Sequence, residues 1–448
     1  MKPVVILFVI VLLVAALLAS FRTNALVNWA GNASGEFDTV YTPETEKELI
    51  SVMKKLKPKT PIIISGVSHS WSPSMFVLGT NTDKAAAINV SLRRLKGKIS
   101  YDEASSVVTC LAGTPIGELL YFLAKRKRIL ATYPNSPFIT VGGMVATCSH
   151  GAALGAGSVS GLVTNMTFIL PGEDKCSRVP PHLLGAYASS LGHLGVVCEV
   201  SLSTIPISWL KQTISHLPRE ACVNQLRDLV EKSELLKIFW NPAKDVCEIL
   251  EYVRLPNTEH DVVSLYPCKI ENHFMVYQSQ DLCEGINYAP ELDTQFGVSK
   301  QPLSLKNTSG FGHCQKQSTC PQTIPSMVEA EFVVSLNKVG EALQVIQAWL
   351  DKHHPKVTSD VYLRFTGGDA LPWLSPVNGD GVFAWIIVDI NFTEMPDYFE
   401  KFNLLQTELW KKTQARPHMG KWNNTSRERF IEMYEHGAHF LNLARNLQ

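Results

Sequence analysis

Two loops in this chain constrain its fold more than any other feature. Each follows a short β-like run and combines glycine, small residues and a histidine. The first is Pro61-Ile62-Ile63-Ile64-Ser65-Gly66-Val67-Ser68-His69-Ser70-Trp71-Ser72. The second is Ile139-Thr140-Val141-Gly142-Gly143-Met144-Val145-Ala146-Thr147-Cys148-Ser149-His150-Gly151. A run such as Ile62 to Ile64 reads as a strand buried on both faces. The glycine after it allows a sharp turn that exposes successive N–H groups with no Cβ in the way. Such a loop is an anion cradle suited to the pyrophosphate of a dinucleotide. Two of them imply one large phosphate-bearing cofactor gripped from two sides. Neither fits GxGxxG or GxxxxGK[ST], which argues against an ordinary Rossmann or P-loop site.

A chain of 448 residues is long enough for two or three domains with large cores. Lys plus Arg and Asp plus Glu both number 41, so the formal net charge is zero. That balance argues against nucleic acid or an anionic membrane as the main partner. The N-terminus departs from the globular profile: Lys2 precedes an apolar run from Val4 to Ala19, and Thr23-Asn24-Ala25 offers a cleavage site. This layout predicts a signal peptide over residues 1–25, the alternative being an uncleaved anchor over residues 4–19. A secreted or lumenal protein follows in either case. Sequons at Asn32, Asn89, Asn165, Asn307, Asn391, Asn423 and Asn424 agree with that route, as does an even count of ten cysteines. Cys314 and Cys320 are a reasonable disulfide pair. No CxxC spacing occurs, so a zinc site is not expected.

The pattern from Phe37 to Pro206 alternates short β-branched runs with amphipathic helices. Helices are predicted over Glu44 to Leu56, starting at Thr42 and Pro43, and over Ile116 to Lys127. Strands are predicted at Ile62 to Ile64, Ala87 to Val90, Ser106 to Cys110 and Val196 to Leu202. Beyond Ser208 a strand from Gln212 and a helix over Cys222 to Lys237 precede a polar loop, Lys300 to Ile324. Met327 to Leu336, Val361 to Phe365 and Val382 to Ile390 read as strands, Val339 to His353 and Tyr398 to Thr413 as helices. The expected fold class is α+β: a first domain over 34–207 and an α+β second domain over 208–448.

Together these motifs resemble the aldonolactone oxidases, the L-gulonolactone oxidase type within the vanillyl-alcohol-oxidase-like flavoenzymes. The resemblance runs from Asn28-Trp29-Ala30 through both loops and Leu191-Gly192-His193-Leu194-Gly195-Val196-Val197. It ends with Arg364-Phe365-Thr366-Gly367-Gly368-Asp369 and Arg416-Pro417-His418-Met419-Gly420-Lys421. It implies a two-subdomain PCMH-type FAD domain followed by a substrate (cap) domain. It implies that FAD is bound covalently through His69, with Gly66, Ser68, Ser70, Gly142, Gly143, Thr147, Ser149, His150 and Gly151 around its phosphates and flavin edge.

The implied reaction is hydride transfer from a sugar-lactone carbinol to flavin, with O2 as acceptor and an ascorbate-type product plus H2O2. Lys421 would face the flavin N1–C2=O edge or the substrate oxygen, Arg364 would clamp lactone oxygens, and His418 completes the catalytic set. Four departures stand out. Tyr362 occupies the acidic position of the usual Glu-x-Arg, Met419 replaces a tryptophan, and Ser68 and Cys148 stand where relatives carry glycine. The first two keep open an alditol or other carbohydrate substrate. A non-catalytic protein retaining the FAD fold as a scaffold is the remaining alternative.

Overall fold

A computed structural model describes residues 24–28, 30–72, 88–207, 210–254, 270–271, 274–275, 327–353, 360–391, 395 and 397–447. The apolar leader up to residue 23, the polar segment 300–324, the Asn307 sequon and Cys268, Cys283, Cys314 and Cys320 lie outside them.

Two sheets of three and five strands frame the first domain, beside two short two-stranded pairs. β1 (Thr39–Tyr41), β2 (Ile63–Ser65) and β3 (Ile88–Ser91) form a parallel sheet in the order β1-β3-β2. Helix α1 (Glu46–Lys55) crosses from β1 to β2 and buries Leu49 and Met53. Its cap is Thr45, not the Thr42–Pro43 step, because the Thr45 side chain accepts the Glu48 N–H while Glu48 accepts the Glu44 N–H. β4 (Ile99–Asp102), β5 (Val107–Leu111), β6 (Val163–Ile169), β7 (Ser177–Arg178) and β8 (Val196–Ser203) form an antiparallel sheet, order β7-β6-β8-β5-β4. Helix α2 (Ile116–Ala124) stops short of Lys127, whose φ of 54° turns the chain left-handed after a tightened last turn. The run Ile139 to Val141 is no strand. Thr140 makes one bridge to Pro115, and Val141 already opens the short helix α3 (Val141–Ala146).

The second domain is a seven-stranded antiparallel sheet. Its strands are β9 (Leu210–Pro218), β10 (Leu235–Asn241), β11 (Val246–Arg254), β12 (Met327–Ser335), β13 (Val361–Thr366), β14 (Phe383–Asn391) and β15 (Arg416–Pro417). They lie in the order β9-β11-β10-β13-β14-β12-β15. Helices α4 (Arg219–Lys232), α5 (Val339–His353) and α6 (Tyr398–Thr413) join one face of it in a common core. The helix expected to reach Lys237 ends at Lys232, because Leu235 to Asn241 is drawn into the sheet between β11 and β13.

Period-two alternation decides which side chains reach the site. Val328, Ala330, Phe332 and Val334 of β12, Val361, Leu363 and Phe365 of β13, and Ala384, Ile386 and Val388 of β14 belong to the helix-side core. The intervening Glu329, Glu331, Tyr362, Arg364, Trp385, Ile387 and Asp389 therefore share the opposite face.

Two features depart from the sequential domain scheme. Helices α7 (Arg427–Met433) and α8 (Gly437–Leu447) belong to the second half of the chain, yet Phe430, Met433, Tyr434, Phe440 and Ala444 join the first domain's core. Asp369, in the loop after β13, reaches across to the first domain. It accepts hydrogen bonds from the Ser158 amide (3.0 Å), the Ser158 hydroxyl (2.6 Å) and the Ser375 hydroxyl (2.6 Å). Gly157 and Gly161 are required beside it, since a Cβ at either would sit 2.2 or 2.3 Å from Asp369 Oδ1.

The disulfide among the described residues joins Cys176 and Cys198. Cys198 is the extra residue at a bulge where β8 meets β6, and Cys176 precedes β7, so pairing through the sheet brings them together. Cys110, Cys148, Cys222 and Cys247 are buried thiols. The Asn89 sequon is corrected by the fold: Asn89 is fully buried in β3 and accepts from Ser65 Oγ, out of reach of a glycan.

Replacing Asp369 by Ala orphans the Ser158 donors in a buried interface. The expected cost is about 3 kcal/mol. Urea unfolding of the wild type and D369A checks it, with Asp369→Asn losing less.

Candidate active site

A cavity of about 880 Å³ opens where the two domains meet. Gly66, Ser68, His69 and Ser70 of the first loop line it, as do Gly142, Gly143, Thr147, Ser149 and His150 of the second. Arg364, His418 and Lys421 come from the second domain. Of the expected site residues, only Gly151 is absent from the wall: its N–H donates to Thr132 Oγ1 at 2.9 Å.

The loops are welded together and to the His418–Lys421 turn. A Cβ on Gly66 would lie 2.4 Å from Thr140 Oγ1, so glycine lets the first loop rest on the second. The Trp71 amide donates to the Gly420 carbonyl at 2.9 Å. A Cβ on Gly420 would approach the Thr147 Cβ to 3.2 Å.

The cradle uses fewer backbone donors than an open loop would offer. Gly142 N–H is spent on the Ala112 carbonyl, and the Thr147 hydroxyl donates to the Gly143 carbonyl at 3.0 Å. The Ser149 hydroxyl lies 3.3 Å from that of Thr147 and, with the Thr147 hydrogen spent on Gly143, is the donor of the pair. Three buried polar atoms at the cavity wall, Asn135 Oδ1, Ser136 Oγ and Arg364 Nε, have no protein partner. A cavity of this size with two glycine-bearing loops and orphaned polar atoms fits a dinucleotide and a polar substrate.

Both departures from glycine are explained by the backbone. Ser68 and Cys148 adopt φ of 56° and 55°. Cys148 points away from the cavity, with its Sγ 4.0 Å from the Leu374 carbonyl, so it does not crowd the flavin space. Burial pushes its thiol up to about 12.

His69 is held neutral. Desolvation, then the charge of Lys421, lowers its basicity to about 3. His418 is likewise lowered to about 3, chiefly by burial, and its Nδ1 accepts the Gly420 N–H at 2.9 Å. This bond shapes the turn. Lys421 is ion-paired with Glu329 and stands 5.7 Å from the centre of the Trp71 ring. Burial opposes the charge of Arg364, but Tyr362, Glu331 and Glu329 together raise its affinity for the proton. Its guanidinium stands 4.7 Å from the centre of the Tyr362 ring. Burial also raises the Tyr362 phenol, whose ring stacks on Phe239 at 4.4 Å.

Sequence reasoning overlooked Glu329, Glu331 and Asp389. The signal was available: two glutamates two residues apart in an apolar strand, Val328-Glu329-Ala330-Glu331-Phe332, must share one face. His150 Nε2 lies 2.9 Å from Glu331 Oε1, both fully buried, and Trp385 stacks on the imidazole at 3.6 Å. Donor atoms of His150, Glu331 and His418 converge within 4.8 Å. His150 meets both Glu331 and the Gly151 carbonyl, and His418 Nδ1 accepts the Gly420 N–H.

Comparison with known proteins agrees with this geometry. The profile of the D-arabinono-1,4-lactone oxidase family matches residues 200–447, and that of an FAD binding domain matches residues 37–175. A D-arabinono-1,4-lactone oxidase of Eremothecium gossypii is 24% identical over 242 residues, covering 52% of this chain and 44% of that protein. The chain thus spans less than half the length of the fungal relatives it matches. The L-gulonolactone oxidase of Mus musculus is 24% identical over 434 residues, 91% of each chain. A solvent-stable cholesterol oxidase has the same fold, with a TM-score of 0.64 at 16% identity over 89% of this chain and 86% of that one.

The left-handed Ser68 yields a stability prediction. Ser68→Gly relieves a strain of about 1–2 kcal/mol and adds unfolded-state entropy of about 0.5–1 kcal/mol. The midpoint of thermal unfolding of S68G should therefore rise.

Proposed function

Because this chain belongs to the D-arabinono-1,4-lactone oxidase family, we propose that it oxidises the carbinol of an aldono-1,4-lactone such as L-gulono-1,4-lactone, with O2 as electron acceptor. The observation that carries this reading is the meeting, in one cavity, of both small-residue loops with Arg364 and the His418–Lys421 turn. FAD bound there supplies the hydride acceptor. The chain's own residues hold and polarise. Both loops hold the phosphates, and the Lys421 ammonium offsets negative charge gained by the ring system on reduction. Arg364, with its Nε unpartnered, offers a donor to a lactone oxygen.

His69 is the residue that would carry a covalent link. Its imidazole lines the cavity, and burial keeps it uncharged, the form that attachment requires. Passage through the secretory pathway is supported by the Cys176–Cys198 disulfide and by the apolar leader read from the sequence. A polyol substrate is the second reading. Tyr362 favours it, because a neutral phenol among substrate contacts suits hydroxyl groups as well as a lactone ring.

The test is the absorption spectrum of the purified protein before and after acid precipitation, then during anaerobic addition of L-gulono-1,4-lactone. Flavin colour that stays with the precipitate in the wild type, and is extracted from His69→Ala, is the expected result for the link. Bleaching by the lactone supports the oxidase, and bleaching only by an alditol moves the substrate to a polyol. Flavin that no sugar derivative bleaches would leave the scaffold alternative. Lys421→Met should keep the flavin and slow its bleaching about 10²–10³-fold, the loss typical of one electrostatic stabiliser.

A further inference from the structure

Oxidation of a carbinol releases a proton as well as a hydride, and the acidic group expected at position 362 is a tyrosine. We propose that Glu331, backed by His150, is the base that takes the carbinol proton, an assignment that rests on the oxidase reading above. The step balances as follows. The O–H bond breaks toward the Glu331 carboxylate, the C–H electron pair leaves as hydride to the bound flavin, and the C=O bond forms.

Strand register places this carboxylate. Tyr362 of β13 stands opposite Ile387 of β14, and Ile387 stands opposite Glu331 of β12. Tyr362 and Glu331 thus lie in one cross-strand row, on one face, about 10 Å apart at two strand spacings. The acid absent from β13 reappears two strands away on the same cavity wall.

The other groups on this wall are engaged otherwise: His418 Nδ1 accepts the Gly420 amide, Glu329 is ion-paired with Lys421, and Tyr362 keeps its proton. The groups facing Glu331 are His150 from the second loop, His418 and Lys421 from the turn, and Arg364 and Tyr362 from β13. Glu329 and Asp389 share its sheet face. Burial opposes its charge, but His150, His418 and Lys421 hold its carboxyl below the usual range, so it rests ionised.

His150 gives this acid a place to store the proton. Its Nδ1 meets the Gly151 carbonyl at 2.9 Å and its Nε2 meets Glu331 Oε1 at 2.9 Å. Both partners are acceptors, and a neutral imidazole has only one N–H. One of the two contacts therefore lacks a hydrogen while Glu331 is ionised. A proton delivered to Glu331 and shared with His150 completes both bonds. Trp385, stacked on the ring and donating to Thr366 Oγ1 at 2.8 Å, keeps the imidazole aligned.

The test compares wild type and Glu331→Gln as purified flavoproteins. The glutamine amide can donate to His150 Nε2, so flavin content and thermal midpoint should be retained. Stopped-flow flavin reduction by L-gulono-1,4-lactone, D-arabinono-1,4-lactone and an alditol is followed anaerobically against pH. A wild-type rate that falls at low pH, and a loss of about 10²–10⁴-fold in E331Q with that limb abolished, is expected for a missing base. Reduction of E331Q within threefold of wild type would overturn the assignment and leave the oxidase reading intact. So would an acid limb that survives in E331Q and disappears in Asp389→Asn. A wild type reduced by none of the three substrates would overturn the oxidase reading, and this base with it. Should E331Q lose its flavin, His150→Gln is measured in the same way. A rate loss of at least tenfold with a shifted acid limb is expected there, and an unchanged profile would refute the role of the pair.

Discussion

The buried carboxylate of Asp369 is the contact on which the site depends. It lies between Ser158 of the first domain and Ser375 of the second, and takes three short hydrogen bonds in a place where neither Gly157 nor Gly161 could carry a side chain. The cavity exists only while the two domains hold this separation, since one wall is built by the loops and the other by the sheet. Further bonds run along the same seam, from the Gly367 amide to the Ala156 carbonyl and from the Leu154 amide to the Glu234 carbonyl. A charge desolvated in an interface is tolerated only when its oxygens are satisfied, and here the donors come from both sides. The motif resembling a substrate-side element thus divides its work. Arg364 faces the cavity, while Asp369 holds the two halves together.

The charged groups at the cavity follow from the pleat of one sheet. Alternation along β12, β13 and β14 sends Val, Phe and Ile to the helix side and the polar residues to the loop side. Cations and acids are consequently interleaved on one face: Arg364 on β13, Asp389 on β14, Glu329 and Glu331 on β12. Lys421 joins them from the turn. This arrangement sets acids beside cations on one cavity wall, with Lys421 paired to Glu329, although position 362 carries no acid.

Much of the frame was legible in the sequence because it rests on local signals. The helices Val339–His353 and Tyr398–Thr413 came out at their bounds, since their apolar stripes and end residues are properties of the segments themselves. The small-residue loops were legible for a similar reason: glycine beside hydroxyl residues has few other uses at that density. Errors arose where a distant partner decided. Ile139 to Val141 has strand composition but joins a helix, because Ala112 and Thr114 accept the Val141 and Gly142 amides. Residues 235–237 continue an amphipathic pattern but are captured by β11 and β13. The Cys176–Cys198 bond depends on two strand pairings that no spacing rule encodes.

By itself the sequence determined the groups on offer: two small-residue loops, a histidine between small residues, a lysine and an arginine in separate late motifs, and a tyrosine at position 362. Those are one-dimensional facts, set by residue type and short spacing. Only the tertiary structure decided which of them meet. It returned the last two helices to the first domain's core, spent the Gly151 and Gly142 amides on other partners, and closed His418 onto its own turn. It also set Glu331 against His150, residues 181 apart in the chain. The reason is that a strand's register with its neighbours, and not its own composition, fixes which side chains share a face and a depth.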